Sequence, residues 1–320
     1  MENAWITARI ARKAVEAEDI VTLDLVHAEG QALPRFEAGS HIDLELPGGR
    51  VRQYSLCNAP RETHRYQLGV LLDPASRGGS RSVHQDLAEG ATVRISAPRN
   101  HFPLVPARHS ILLAGGIGVT PLLSMAENLS QAGADFELHC CSRSVARTAF
   151  LPRLRGSAFA DRVQLHFDDG DAVQKLDAPA VLDRPAPGTH LYVCGPKGFM
   201  DFVLGTARAL GWAEANLHCE HFAGAAQDRQ DDGSFEVRIA STGRVIRVAK
   251  DESVVAALAA QGVDIPISCE QGVCGTCITR VLEGEPEHRD LYFSDAEKAK
   301  NDQFTPCCSR ARSAFLVLDL

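Results

Sequence analysis

The sequence has no long apolar run, no excess of positive charge and no repeated segment. None of its hydrophobic stretches approaches the about 20 residues of a membrane-spanning helix, so we expect no membrane span. Residues 1–5 are not a basic segment leading into an apolar one, so we expect no signal peptide. The net charge of −8 argues against a nucleic-acid-binding protein, which usually presents a basic surface. After these exclusions we expect a globular protein, and 320 residues are enough for two or three domains.

Cysteine, by contrast, is abundant, with ten residues. Four of them follow a C-x4-C-x2-C spacing and then a gap of 30 positions: Cys269, Cys274, Cys277 and Cys307. This is the ligand spacing of a plant-type [2Fe–2S] ferredoxin. A loop around such a cluster needs positive φ angles, which Gly272 and Gly275 can adopt. Zinc or a disulfide are the alternatives, but structural zinc sites usually bring two C-x2-C pairs and this sequence has one.

Other cysteines lie in apolar, strand-like runs, namely Cys140, Cys141 and Cys194. We expect them to be buried free thiols, which fits a reducing cytoplasm.

The N-terminal third alternates apolar and polar residues in several short runs between Ile20 and Leu72, which predicts a β-sandwich or barrel. Alternation places Arg52 and Tyr54 on one face of a strand, where they could hold a phosphate and an aromatic ring together. The later Gly78-Gly79-Ser80, after Arg77, is typical of a loop that binds an anion through its backbone.

The middle of the chain predicts a dinucleotide site. The apolar run 110–114 reads as a buried strand, which enters a turn with Gly115, Gly116 and Gly118 and then a helical pattern with Pro121 in its first turn. The motif is G-x-G-x-x-P, a variant of the usual fingerprint. Further strands are predicted at 136–141, 163–167 and 189–194, and a helix at 199–210. Cys194-Gly195-Pro196 then falls at a strand end, where such sheets bind ligands.

The last part is predicted to follow a small, polar linker, and to contain strands at 235–240, 244–248 and 315–318 and a helix from about Ser253. The histidine-rich stretch before the linker is not expected to bind a metal, because the adjacent Glu220 and His221 would point apart on an extended chain.

Together these motifs resemble the phthalate dioxygenase reductase family over nearly the whole chain. The resemblance rests on the R-x-Y-S motif ending at Ser55, the loops 77–80 and 115–121, the C-G-P motif at 194–196, an E-x-F motif formed by Glu220 and Phe222, and the ferredoxin cysteines. It implies a multidomain α/β and β protein. Residues 1–104 would form an antiparallel flavin-binding β-barrel, 105–224 a Rossmann-like nicotinamide domain with a parallel sheet, 225–233 a linker, and 234–320 a β-grasp plant-type ferredoxin domain.

The resemblance further implies FMN, NADH and a [2Fe–2S] cluster as cofactors, and a separate Rieske-type oxygenase as electron acceptor. The implied flavin contacts are Arg52, Tyr54, Ser55, Gly78, Gly79, Ser80, Thr120 and Phe222. The implied nucleotide contacts are Gly115, Gly116, Gly118, Cys194, Gly195 and Pro196. Hydride transfer requires no side-chain acid or base, and a monomer suffices.

Several alternatives stay open in the sequence. Cys308 competes with Cys307 as fourth cluster ligand, although the 30-position gap matches the family. Arg143 stands where a dinucleotide site usually has an acidic residue, so it could hold the 2′-phosphate of NADPH. Cys194 could be only a buried thiol. A ferredoxin-like module without catalysis is disfavoured by the flavin and nucleotide motifs. A self-contained oxygenase is disfavoured because the sequence has no Rieske C-x-H pattern or histidine-rich metal cluster.

Overall fold

The computed structural model describes residues 5–74, 76, 78–183, 185–224 and 232–320. The chain divides into two compact units, Met1–Glu220 and His221–Leu320. Most of the expected linker, 225–231, lies outside the described residues, as does Arg77. No helix in the described part of the chain is long and apolar enough to cross a membrane.

The first sheet of the first unit is antiparallel. Its strands are β1 (Ile6–Ala17), β2 (Ile20–His27), β3 (Ser40–Glu45), β4 (Val51–Ser55), β5 (Tyr66–Leu71), β6 (Thr92–Ile95) and β7 (Arg99–Asn100), with helix α1 (Gly79–Gln85) between β5 and β6. The order is β4-β3-β6-β1-β2-β5, and β7 pairs with β3. A bridge between Leu56 and Leu68 joins the two outer strands, so the sheet curls into a barrel. The expected barrel is confirmed.

Two elements of this region were not anticipated. Strand β1 is the longest, but its second half carries exposed residues such as Val15, which is 84% exposed, so its alternation is weak. Helix α1 follows directly on Gly78, whose φ of 95° is left-handed. The sequence indicated only a loop there, because glycine and serine are poor helix formers.

The second sheet of the first unit is parallel. Its strands are β8 (His109–Gly115), β9 (Phe136–Ser142), β10 (Val163–Phe167), β11 (Thr189–Cys194) and β12 (Leu217–Glu220), and its helices are α2 (Val119–Gln131), α3 (Leu151–Gly156), α4 (Ala178–Val181) and α5 (Lys197–Ala209). The strand order is β10-β9-β8-β11-β12. Helix α2 packs on one face, through residues such as Leu122, and α5 on the other, through residues such as Val203. The order reverses between β8 and β11, and ligands bind at the carboxyl ends of strands at such a point.

The second unit contains a mixed sheet with a helix of six residues packed on it. Its elements are β13 (Phe235–Ile239), β14 (Val245–Val248), α6 (Val254–Ala259), β15 (Thr279–Glu283), β16 (Pro286–Glu287), α7 (Asp295–Lys298), β17 (Gln303–Phe304), β18 (Arg310–Ala311) and β19 (Phe315–Leu318). The order is β14-β13-β19-β15-β17, with β13 and β19 parallel. Helix α6 begins as predicted, because the Ser253 side chain accepts a hydrogen bond from the Ala256 N–H at 3.2 Å. An irregular segment between α6 and β15 carries three of the cysteines.

Candidate functional site

Four cysteine side chains meet in the second unit. Cys269, Cys274 and Cys277 lie in the segment between α6 and β15, Cys307 lies after β17, and none is more than 9% exposed. Their thiols lie close enough to interact, Cys269 with Cys274 and Cys307, and Cys277 with Cys307. None of the four forms a disulfide. Four neighbouring buried thiols are the kind of donor set that a [2Fe–2S] cluster requires.

A site for a single metal ion is a different arrangement. Within the described residues, no three or more His, Cys, Asp or Glu side chains are arranged to hold one metal ion. A two-iron cluster spreads its four thiolates over two metals, so it does not require them to converge on one point.

The two predicted loop glycines have positive φ, at 72° for Gly272 and 69° for Gly275, which confirms that expectation. A Cβ on Gly272 would lie 2.4 Å from the Cys308 Sγ, and one on Gly275 would lie 2.5 Å from the ring of Tyr292. Both positions therefore exclude a side chain for conformational and steric reasons.

Backbone N–H groups point at the cysteine sulfurs. The Gln271 N–H donates to the Cys269 Sγ at 3.3 Å, and the Thr276 N–H donates to the Cys274 Sγ at 3.5 Å. The neighbouring thiols of Cys274 and Cys307, followed by the Gln271 N–H, lower the pKa of Cys269, and the same interactions raise the pKa of Cys274 and of Cys307. Among these three thiols, the thiolate is therefore favoured at Cys269.

The structure distinguishes the two candidates for the fourth ligand. The thiol of Cys307 interacts with Cys269 and Cys277. The thiol of Cys308 lies against the backbone of Gly272 and within 3.3 Å of the Thr305 Oγ1. Of the two, Cys307 is the one that interacts with Cys269 and Cys277, which favours it as the fourth ligand.

The flavin motif and the anion loop lie side by side in the first unit. A Cβ on Gly79 would come within 2.9 Å of the Arg52 Cγ, so α1 starts directly against β4. The Ser80 Oγ accepts a hydrogen bond from the Asp73 N–H at 3.1 Å, which orients the hydroxyl beside that loop. Tyr54 is partly buried next to Arg52, and burial raises the pKa of its phenol, so the group stays protonated.

Ser55, the last residue of β4, reaches the parallel sheet. Its Oγ donates to the Glu220 Oε2 at 3.0 Å, across 165 positions of sequence. Glu220 ends β12 and pairs in register with Cys194 at the end of β11. Desolvation raises the pKa of Glu220 to about 7, and burial followed by the Glu220 charge raises the pKa of the Cys194 thiol. Sequence reasoning placed Glu220 in a motif but missed its contact with Ser55. The only signal in the sequence was that a Glu and a Ser each stand at the end of a strand.

The nucleotide loops touch through their backbones. A Cβ on Gly118 would lie 2.2 Å from the Cys194 carbonyl oxygen, and one on Gly195 would lie 2.9 Å from the Gly115 Cα. A Cβ on Gly115 would in turn lie 3.0 Å from the Pro196 Cδ. The two loops that follow β8 and β11 are thus brought together where the strand order of the sheet reverses.

Gly116 and Thr120 complete the turn into α2. Gly116 has a φ of 56°, and no atom lies within 4 Å of its Cβ position, so its backbone borders open space. Thr120 is 2% exposed and its Oγ1 donates to the Ile117 carbonyl at 3.0 Å. Its hydroxyl hydrogen is therefore engaged, and only the oxygen lone pairs can face a ligand.

The remaining candidates follow strands β9 and β12 in the sequence. Arg143 follows β9 and is exposed, and its carbonyl accepts from the Asp169 N–H at 3.1 Å. Phe222 lies two residues after β12 and is 41% exposed. The Gly224 N–H donates to the Gln271 Oε1 at 2.9 Å, so the stretch after Phe222 is fixed to the cysteine loop. Sequence reasoning did not anticipate that contact.

Comparison with known proteins extends the geometry. Residues 237–312 match the 2Fe-2S iron-sulfur cluster binding domain. The chain is 57% identical over 312 residues to a vanillate O-demethylase oxidoreductase of Pseudomonas sp. strain HR199, covering 97% of this chain and 98% of that protein. It is 38% identical over 321 residues to the phthalate dioxygenase reductase of Burkholderia cepacia, covering 100% and 98%.

Solved structures agree. A phthalate dioxygenase reductase, described as a modular structure for electron transfer from pyridine nucleotides to [2Fe–2S], matches with a TM-score of 0.79 and 38% identity over 100% of this chain and 99% of that chain. An intact type IV self-sufficient cytochrome P450 monooxygenase matches with a TM-score of 0.85 and 38% identity over 99% of this chain, which spans 41% of that one. The chain therefore belongs to the phthalate dioxygenase reductase family, whose members include the vanillate O-demethylase oxidoreductases.

Proposed function

We propose that this protein takes a hydride from NADH onto FMN and passes single electrons through a [2Fe–2S] cluster to a separate Rieske-type oxygenase. The observation that carries the proposal is the contact between Ser55 and Glu220, which joins the flavin motif on β4 to the nucleotide-binding end of the parallel sheet. FMN would supply the needed chemistry, because a flavin accepts electrons in pairs and releases them singly.

For FMN, the structure offers a phosphate end and a ring end. Arg52 packs against Gly79 at the start of α1, so a guanidinium and bare backbone lie together where a phosphate can be held. Tyr54 contributes an aromatic face and a neutral hydroxyl beside it. Ser55 and Thr120 would approach the flavin ring. The hydrogen bond to Glu220 would orient the Ser55 hydroxyl, and the Thr120 Oγ1 would accept a hydrogen bond from the ring. Phe222 would cover the ring until nicotinamide arrives.

NADH would bind where β8 and β11 end. The turn through Gly116 borders open space at the amino end of α2, so a pyrophosphate can approach its backbone N–H groups. Gly195 and Pro196 would line the far side, with Cys194 at the base of the nicotinamide pocket. The buried Cys194 thiol stays protonated, since burial and the Glu220 charge both raise its pKa. We propose NADH over NADPH, with Arg143 remaining solvent-exposed.

Cys269, Cys274, Cys277 and Cys307 would hold the cluster, and Cys308 would not. Domain boundaries at 104/105 and 224/225, a linker over 225–233 and a ferredoxin domain over 234–320 complete the proposal. The protein would act as a monomer in the cytoplasm. Because identity is 47–57% to vanillate O-demethylase oxidoreductases and 38–39% to reductases of phthalate dioxygenase systems, we propose an aromatic O-demethylase as the oxygenase partner.

Two measurements test this function. Denaturation of the purified protein should release FMN, and release of FAD would contradict the flavin assignment. Reconstitution with oxygenase components of O-demethylase and dioxygenase systems should give most product per NADH consumed with the demethylase. Equal coupling to both classes, or none to either, would contradict the partner.

A further inference from the structure

The first turn of helix α3 lies between the barrel and helix α2. Phe150 stands directly before α3 and is 2% exposed, and Arg153 lies three residues later within that first turn. Residues three positions apart lie on the same side of a helical turn. Both side chains reach strand β5 of the barrel and helix α2, so we call these two residues the brace.

Arg153 joins β5 to α2 through its guanidinium group. Its Nη1 donates to the Gln67 Oε1 of β5 at 3.0 Å, and its Nη2 donates to the Glu127 Oε1 of α2 at 2.9 Å. The Gln67 Nε2 donates to the Asp24 Oδ1 of β2 at 2.9 Å, so the amide oxygen is the atom left to accept from Arg153. A planar guanidinium bound at both ends fixes the distance between its two partners.

Phe150 reaches the same strand and the same helix at a second point. A Cβ on Gly69 of β5 would lie 3.0 Å from the Phe150 Cζ and 3.0 Å from the Thr120 Cγ2 of α2. The aromatic ring and the threonine methyl therefore meet above the bare backbone of β5, where a side chain would displace them. Phe150 also belongs to the core cluster that contains Leu122 and Leu123 of α2.

The two contacts are arranged so that they fix an orientation. Gln67 and Gly69 are two positions apart on β5, so they lie on one face of the strand, and the intervening Leu68 belongs to the barrel core. On α2, Thr120 and Glu127 are seven positions apart, which is about two helical turns and hence the same side. One contact alone would allow the helix to rotate about it. Two contacts at different heights on both elements hold the tilt of α2 on β5.

The backbone at Phe150 is also fixed from the barrel. Its φ of 58° is left-handed, which is uncommon for a bulky residue. Its N–H donates to the Glu16 Oε1 of β1 at 3.0 Å, and its carbonyl accepts from the Leu154 N–H of α3 at 2.8 Å. Such a conformation is retained only where the surroundings determine it, and these two hydrogen bonds do so. The brace is thus attached to β1 as well as to β5.

We propose that Phe150 and Arg153 are positioning residues for hydride transfer, because the tilt of α2 that they hold sets the distance between nicotinamide and flavin. The inference rests on the proposed function. The nucleotide turn through Gly116 lies at the amino end of α2, whereas the flavin motif lies on β4 of the barrel. The hydride carries two electrons from NADH, which leaves as NAD⁺, to the flavin, and neither brace residue exchanges a proton. Such a step requires reacting atoms about 3–3.5 Å apart, so a small change of tilt slows it.

The test is anaerobic stopped-flow reduction of the FMN-loaded protein by NADH, which gives a limiting rate constant and a dissociation constant for NADH. Arg153→Met keeps an unbranched apolar side chain and removes the hydrogen bonds to both partners. It should lower the limiting rate constant at least about tenfold, because a misplacement of about 1 Å costs up to about 100-fold. The dissociation constant should change less than about twofold, since Gln67 and Glu127 lie outside the nucleotide loops. Arg155→Met, at an exposed position of the same helix, is the matched control and should leave both constants unchanged.

Arg153→Lys separates a contact with two partners from an effect of charge alone. A lysine can pair with Glu127, but its compact ammonium does not bridge Glu127 and Gln67 as the guanidinium fork does. Its limiting rate constant should therefore stay close to that of Arg153→Met, and a full wild-type rate in Arg153→Lys would refute the proposal. Phe150→Leu shortens the side chain above Gly69 and should also lower the limiting rate constant.

An unchanged limiting rate constant in Arg153→Met would overturn the proposal even if its urea midpoint falls, because Arg153 would then only stabilise the fold. Should Arg153→Met fail to fold, Gln67→Leu removes the barrel side of the same contact and decides the question in the same assay. If NADH does not reduce the flavin of the wild type, the proposed function is wrong and this inference fails with it. Equal rates in the wild type and the variant would overturn the role of the brace alone.

Discussion

Replacement of Glu220 by glutamine tests the contact that joins the barrel to the parallel sheet. Desolvation raises the pKa of this carboxyl from 4.5 to about 7, and Ser55 is its hydrogen-bond donor. Between these two values the folded protein binds more protons than the unfolded chain, so stability falls as pH rises from 4.5 to 7. The full difference corresponds to about 3 kcal/mol, and we expect about 2 kcal/mol because Glu220 keeps some solvent contact.

Glu220→Gln carries no charge at any pH, and its amide oxygen can still accept from Ser55. At pH 5 the variant should therefore match the wild type closely, whereas at pH 8.5 it should be more stable by about 2 kcal/mol. The assay is urea unfolding of flavin-depleted protein, followed by tryptophan fluorescence. Both tryptophans, Trp5 and Trp212, belong to the first unit, so the signal reports the unit that contains Glu220.

Glu214→Gln is the matched control. Glu214 lies on the surface of the same unit, and its hydrogen bond with Arg208 lowers its pKa. Its removal should therefore cost stability at pH 8.5, the opposite sign to Glu220→Gln. A stability difference between Glu220→Gln and the wild type that does not change between the two pH values would refute the argument, because it would show that Glu220 ionises in the folded protein as it does in water.

Three further predictions concern the nucleotide-binding loops, the cluster ligands and the choice between NADH and NADPH. Gly118→Ala should lower the rate of NADH-dependent ferricyanide reduction at least about tenfold, because its Cβ would overlap the Cys194 carbonyl. Gly205 in α5 has open space around it, so Gly205→Ala should leave this rate unchanged. Equal rates in both variants would contradict the close approach of the loops. Cys274→Ser should abolish the EPR signal of the cluster and leave NADH-dependent flavin reduction intact, and survival of the signal would show that the ligand set is wrong. Arg143→Ala should change kcat/KM for NADH less than about twofold. The nucleotide assignment would be reversed if the wild type preferred NADPH and the variant lost most of its kcat/KM for NADPH alone.

The features that the sequence could predict are those whose cause lies within a few positions. The strand, glycine turn and helix around Gly116 follow one another directly, and so do the cysteine loop with Gly272 and Gly275 and the helix start at Ser253. In each case a local rule, such as a glycine at a positive φ or a serine that caps a helix, needs no knowledge of the rest of the fold. The barrel and the parallel sheet could be predicted for the same reason, because the pattern of apolar residues in each strand is visible within a single run of sequence.

What the sequence could not show is how distant strand ends meet. Ser55 and Glu220 are ordinary residues in their own runs, and their significance appears only when β4 and β12 lie close together in the first unit. The same holds for the backbone contact between Gly118 and Cys194, which decides that no side chain fits at that turn. Local pattern therefore identifies which cofactor each segment could bind. The long-range contacts determine whether a hydride donor and its acceptor can be brought together, and the assignment of a reductase depends on these contacts more than on any single motif.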